Sequence, residues 1–73
     1  MREQIIEIMK RVRNDIDYDN DTAMIDDGIL DSFDVVGIVS ELMAEFNVEI
    51  DVDEITPDNF NSVDGVVALI ERL

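Results

Sequence analysis

The chain has no cysteine and no histidine. It can therefore build no disulfide framework, and it cannot complete a thiolate or imidazole zinc set. The missing histidine also removes the usual base beside a serine nucleophile. The only lysine, Lys10, falls on the charged face of the first helical segment. Apolar runs are a few residues long, far short of the ~20 that a spanning helix needs. The opening Met1-Arg2-Glu3-Gln4 sets an acid and an amide where a secretory leader would start its apolar stretch. Seventy-three residues closing on one small core leave little room for a substrate cleft. These absences predict a single cytoplasmic domain over 1–73, non-catalytic and without membrane insertion.

Positive charge is the next scarcity. Nineteen acids face five bases, a formal net charge of −14. Arg2, Lys10, Arg11 and Arg13 lie in the first thirteen residues, and no base occurs from Asn14 to Glu71. Such a surface repels nucleic acid and steers basic protein patches toward itself.

What is present is helical periodicity. Ile5, Met9 and Val12, widened by Ile6 and Ile8, predict an amphipathic helix over about 2–14. Residues 15–31 read as a long loop pinned by Ile16, Met24, Ile25, Ile29 and Leu30. Val35, Val39, Leu42 and Phe46, with Val36 and Met43 beside them, predict a helix over about 32–46. Asp31 suits its N-cap, Asp34 its first turn and Asn47 its stop. Asp51 and Thr56-Pro57 offer two starts for one short helix within 52–60. Val63, Val66, Val67, Ile70 and Leu73 complete a final helix over 63–73 behind Ser62. The expected fold is all-α: a small four-helix bundle of three main helices and a short third one, monomeric because its apolar stripes are used internally.

Two segments invite chemistry. Asp17-Tyr-Asp19-Asn-Asp21 imitates the start of a calcium-binding hand. That hand needs Gly at position 6 and a bidentate Glu at position 12. Counted from Asp17 those places hold Thr22 and Gly28, and counted from Asp15 they hold Asn20 and Asp26. Neither register works, so no dedicated metal site is expected. The second segment, Asp26-Asp27-Gly28-Ile29-Leu30-Asp31-Ser32-Phe33-Asp34, leads a glycine turn into a serine at a helix start. The residues alone leave two readings of Ser32. It is a helix cap, or it is an exposed hydroxyl where backbone N–H groups and the helix dipole accommodate a phosphate ester. Asp31 and Asp34 would repel such a phosphate and suit contact with a basic modifying enzyme or its metal ion.

The segment Gly28 to Asp34 resembles the attachment motif of acyl and peptidyl carrier proteins, where an Asp-Ser pair opens the second helix. The resemblance extends through Phe46, Val48-Glu49-Ile50, Ile55-Thr56-Pro57 and Ser62-Val63 to essentially the whole chain. It implies an acyl-carrier-like fold and a 4′-phosphopantetheine arm, covalent on Ser32, holding an acyl or aminoacyl cargo as a thioester. It implies Asp31 as the acid before the serine, and Phe33 and Val36 as apolar contacts offered to partners, with Phe60 and Val63 lining the same end. The implied partners are a phosphopantetheinyl transferase, a cargo-loading ligase or adenylating enzyme, and acyl-transferring or condensing enzymes with basic patches. Phe33 departs from the family's usual Leu or Met. Gly37 and Met43 stand where fatty-acid carriers often place acids. Asn59-Phe60-Asn61-Ser62-Val63 looks more like aminoacyl, D-alanyl or peptidyl carriers. The competing reading is an acidic interaction module with no prosthetic group, resting on the base-free stretch.

Overall fold

The computed structural model describes residues 1–73, and every regular element in it is helical. Helix α1 spans Arg2–Val12, α2 Ser32–Phe46, α3 Pro57–Phe60 and α4 Val63–Arg72, with a 3-10 turn at Val52–Glu54. Helix α1 packs on both α2 and α4, and α3 packs on α4.

The core forms where the stripes meet. Helix α1 contributes Ile5, Ile8 and Met9; α2 contributes Val35, Ile38, Val39 and Leu42; α4 contributes Val63, Val66, Leu69 and Ile70. Ile38 and Leu69 stand outside the stripes read from the sequence, yet both are fully buried. Their burial widens the apolar face of each helix beyond one column of side chains. Leu73 lies past the end of α4 and stays exposed.

Two boundaries move from their expected positions. Helix α1 ends at Val12, because Arg13 turns extended at φ −138° and ψ 112°. The expected single helix within 52–60 is two pieces, the 3-10 turn and α3. Proline drives that break. The residue before a proline is pushed out of the helical region, and Thr56 is extended at φ −127° and ψ 159°. Pro57 then opens α3 at a position where a missing N–H costs nothing.

The loop over 15–31 is held at intervals. Ile16, Met24 and Leu30 are buried as expected, with Ile25 and Ile29 half-buried, and Tyr18 joins them in the core. Asn61 clamps the middle. Its side-chain oxygen accepts from the N–H groups of Ile25 and Asp26 at 2.9 and 3.0 Å, and its carbonyl accepts from Met24 N–H at 2.9 Å. These bonds satisfy backbone groups that a strand or helix would otherwise have paired.

Candidate functional site

The chain reaches Ser32 through a turn. Gly28 has φ +73°, the left-handed region that glycine enters without strain. Leu30 then buries its side chain, and Asp31 swings extended to cap α2. Asp31 accepts from the Asp34 N–H at 2.9 Å while Asp34 accepts from the Asp31 N–H at 3.3 Å, a reciprocal capping box. The cap is therefore Asp31, and Ser32 is the first residue inside the helix.

A second serine shows what that one-residue offset changes. Ser62 also precedes a helix, but it is the cap: its Oγ accepts from the Gly65 N–H at 3.1 Å and the residue is half-buried. Ser32 is exposed, and no side-chain hydrogen bond engages its hydroxyl. Its own N–H and that of Phe33 belong to the first turn, where no intrahelical acceptor exists.

Around the hydroxyl, helical spacing sorts the neighbours. Val35, Ile38, Val39 and Leu42 point into the core, so Ser32, Val36 and Ser40 form an outward column. Phe33 is 89 % exposed and Val36 60 %, large apolar surfaces with nothing over them. Both sit where a partner-contacting residue was expected.

Three expected contact residues are placed otherwise. Phe60 and Val63 are sealed in the core at 0 % and 1 % exposure. Phe60 closes the bundle from α3 and Val63 starts the buried stripe of α4, so both are core side chains here. Asp34 is turned inward as well. Its carboxylate receives Arg13 Nη1 at 2.6 Å and is only 14 % exposed. That leaves Asp31 as the open acid at this turn.

Arg13 was absent from the sequence reading of the site. Besides Asp34, its guanidinium grips both oxygens of Asp15 at 2.9 and 3.0 Å and donates to the Ile29 carbonyl at 3.1 Å. The paired guanidinium holds the Asp15 carboxyl below the usual carboxylate range through that hydrogen bond. The available signal was arithmetic: Arg13 is the last base before a stretch of uncompensated acids.

The surface carries two open depressions. One is lined by Asp17, Asn20, Asp21, Thr22, Ala23 and Asp27, the other by Glu7, Lys10 and Arg11, and Ser32 belongs to neither. In the first, Asp17 and Asp21 spend oxygens on the Asn20 amide and the Ala23 N–H, as turn-forming acids do. The arrangement at Ser32 presents a hydroxyl and encloses nothing.

The family model for the phosphopantetheine attachment site matches residues 1–70. The chain belongs to that family of carrier proteins. It is similar to the D-alanyl carrier protein of Leuconostoc mesenteroides, 34 % identical with 100 % of this chain and 95 % of that one covered. It is similar too to the D-alanyl carrier proteins of Streptococcus pyogenes, 31 % identical over 100 % and 94 %, and Staphylococcus saprophyticus, 27 % identical over 99 % and 95 %.

The carrier is non-catalytic, and its prosthetic group is covalent 4′-phosphopantetheine. That group asks the chain for a free alcohol with room for an enzyme to approach. An exposed, unbonded Ser32 hydroxyl outside both depressions fits the demand, whereas the Ser62 hydroxyl accepts the Gly65 N–H. No helix of the carrier is long and apolar enough to cross a membrane.

Proposed function

We propose that this carrier takes its 4′-phosphopantetheine arm on Ser32 and carries an aminoacyl cargo, D-alanyl in the first instance. The observation that carries the assignment is the division of labour at the start of α2. Asp31 caps the helix, which releases the Ser32 oxygen for chemistry. Ser32 Oγ attacks the pyrophosphate of coenzyme A, its proton passing to a base of the transferase and the nucleotide leaving as the bisphosphate. The unpaired N–H groups of Ser32 and Phe33 and the helix dipole would favour the negative charge of the phosphodiester so formed. Once attached, the arm supplies a thiol on which the cargo is held as a thioester.

Several features support an aminoacyl cargo. The relatives named above are D-alanyl carriers. Gly37 and Met43 remove two acids from the partner-facing helix, so apolar contact through Phe33 and Val36 weighs more in docking. The partners of this reading are a phosphopantetheinyl transferase, an ATP-dependent adenylating ligase and an acyl-accepting enzyme. The carrier works as a cytoplasmic monomer of one domain.

Incubation with coenzyme A and a phosphopantetheinyl transferase adds one arm by intact mass, and Ser32→Ala adds none. Loading the product with D-alanine, ATP and a D-alanine-activating ligase then adds one alanyl group that hydroxylamine removes. An arm found on Ser40 or Ser62 would sink the site assignment, and loading by acyl donors alone would sink the cargo.

A further inference from the structure

The acid two residues after Ser32 is the one a basic enzyme would be expected to read. In this carrier it is spoken for from inside the molecule. Arg13, just beyond the end of α1, reaches the attachment turn on both sides of the serine: Nη1 donates to the Ile29 carbonyl at 3.1 Å and to Asp34 Oδ2 at 2.6 Å. The rest of the guanidinium is locked by Asp15 through two parallel bonds at 2.9 and 3.0 Å. The Arg13 backbone is fixed as well, its N–H on the Met9 carbonyl at 2.8 Å and its carbonyl under the Tyr18 hydroxyl at 2.5 Å. The brace is thus anchored in the core before it touches the turn.

We propose that Arg13 is a positioning residue for the arm-transfer reaction, holding residues 29–34 so that Ser32 meets the transferase in one orientation. The inference deepens the reading of Ser32 above and rests on it. Two physical effects follow from the geometry. A planar fork tied to four oxygens on three residues fixes direction as well as distance, and Ile29 and Asp34 bracket the serine in sequence, so neither side of the turn can swing alone. The guanidinium also neutralises Asp34 locally, which lowers the repulsion felt by an incoming pyrophosphate and leaves Asp31 as the open carboxylate for a partner. Since Asp34 is turned inward, its contribution to the reaction passes through the shape of the turn.

The test is steady-state transfer of the arm from coenzyme A to full-length apo carrier, at a temperature where circular dichroism shows each variant folded. Arg13→Gln is expected to lower kcat by roughly fivefold to tenfold, with KM for the carrier changed little, because aim is lost and docking surface is not. Arg13→Lys keeps a charge without the fork and recovers part of the loss. Arg2→Gln breaks the Arg2–Asp64 pair between α1 and α4, removes the same unit of charge and keeps wild-type kcat. Asp15→Asn, which frees the guanidinium but leaves Arg13 in place, reproduces a smaller fall and serves if Arg13→Gln fails to fold. Amide exchange in the apo protein speeds up at residues 34 and 35, whose N–H groups bond to Asp31, in the Arg13 variant and is unchanged in α4. A wild-type rate in folded Arg13→Gln, or an equal fall in Arg2→Gln, overturns the inference while Ser32 stands. A wild-type chain that takes no arm overturns the reading of Ser32 itself.

Discussion

The hydroxyl of Tyr18 donates to the carbonyl oxygen of Arg13 at 2.5 Å and to that of Met9 at 3.1 Å, closing the open end of α1 with a side chain from the loop. The last carbonyls of a helix have no intrahelical donor, and here a phenol five residues on supplies one. The same contact fixes the residue whose guanidinium reaches Ile29 and Asp34, on either side of Ser32.

Tyr18 is the only tyrosine and no tryptophan is present, so tyrosinate absorbance reports this one group. Burial pushes the phenol up from its ordinary 10.0 to about 12. The folded state binds the proton more tightly than the unfolded one, so the contribution is whole below pH 10.0 and is lost as pH climbs toward about 12. The titration midpoint is expected near the upper value in the native carrier and near the lower one in denaturant. Tyr18→Phe should lose that alkaline sensitivity and about 1–3 kcal/mol of stability, because the Arg13 carbonyl loses its donor while the Met9 carbonyl keeps only the Arg13 N–H. A native midpoint at the ordinary value would contradict the burial argument.

Gly65 sits where α4 lies against α3. A Cβ there would stand 2.8 Å from the Asp58 carbonyl oxygen and 2.9 Å from that of Asn59. Both are backbone atoms, which cannot rotate aside. Alanine would gain up to about 1 kcal/mol in helix propensity, but the overlap costs about 1–3 kcal/mol. Denaturant unfolding of Gly65→Ala is expected to show net destabilisation, and a stabilised variant would mean that the helices separate freely.

Phe33 and Phe60 are the same residue type with opposite roles. Phe60→Ala empties a fully buried site and should cost about 3–5 kcal/mol. Phe33→Ala, at 89 % exposure, should change stability by less than about 0.5 kcal/mol. Its effect belongs in KM for the transferase or ligase. Equal unfolding midpoints for the two variants would refute this division.

Asn61→Ala should cost about 1–3 kcal/mol, since the Ile25 and Asp26 N–H groups lose their acceptor. The damage is local first. Limited proteolysis is expected to cut near residues 24–28 sooner than in wild type, with α1 and α2 still protected.

A net charge of −14 on so small a body repels itself. Surface pairs such as Arg11–Glu41 at 3.2 Å pull the other way but are each worth little. Between ~0.01 M and ~1 M salt the screening length falls from ~30 to ~3 Å. Repulsion among many acids therefore outweighs a few lost attractions, and Tm should rise with salt. A falling Tm would mean that the ion pairs dominate.

Helices α1, α2 and α4 were legible because each carries its own period and, for α2 and α4, its own cap. Asp31, Asn47 and Ser62 perform the starts and stops that their residue types suggest. The placing of Ser32 just inside a helix, with a bulky apolar residue beside it, was equally local. What could not be read was anything requiring the direction of a side chain across the fold. Phe60 and Val63 share the apolar character of Phe33 and Val36, and only packing separated the sealed pair from the open pair.

The amino-acid order by itself determined an acidic helical bundle with a serine at the head of its second helix, because periodicity and capping act over a few residues. Tertiary structure alone decided that Asp34 turns inward to Arg13, twenty-one positions away, while Asp31 and Ser32 remain in solvent. An ion pair between distant positions forms only after the helices have packed and brought their ends together.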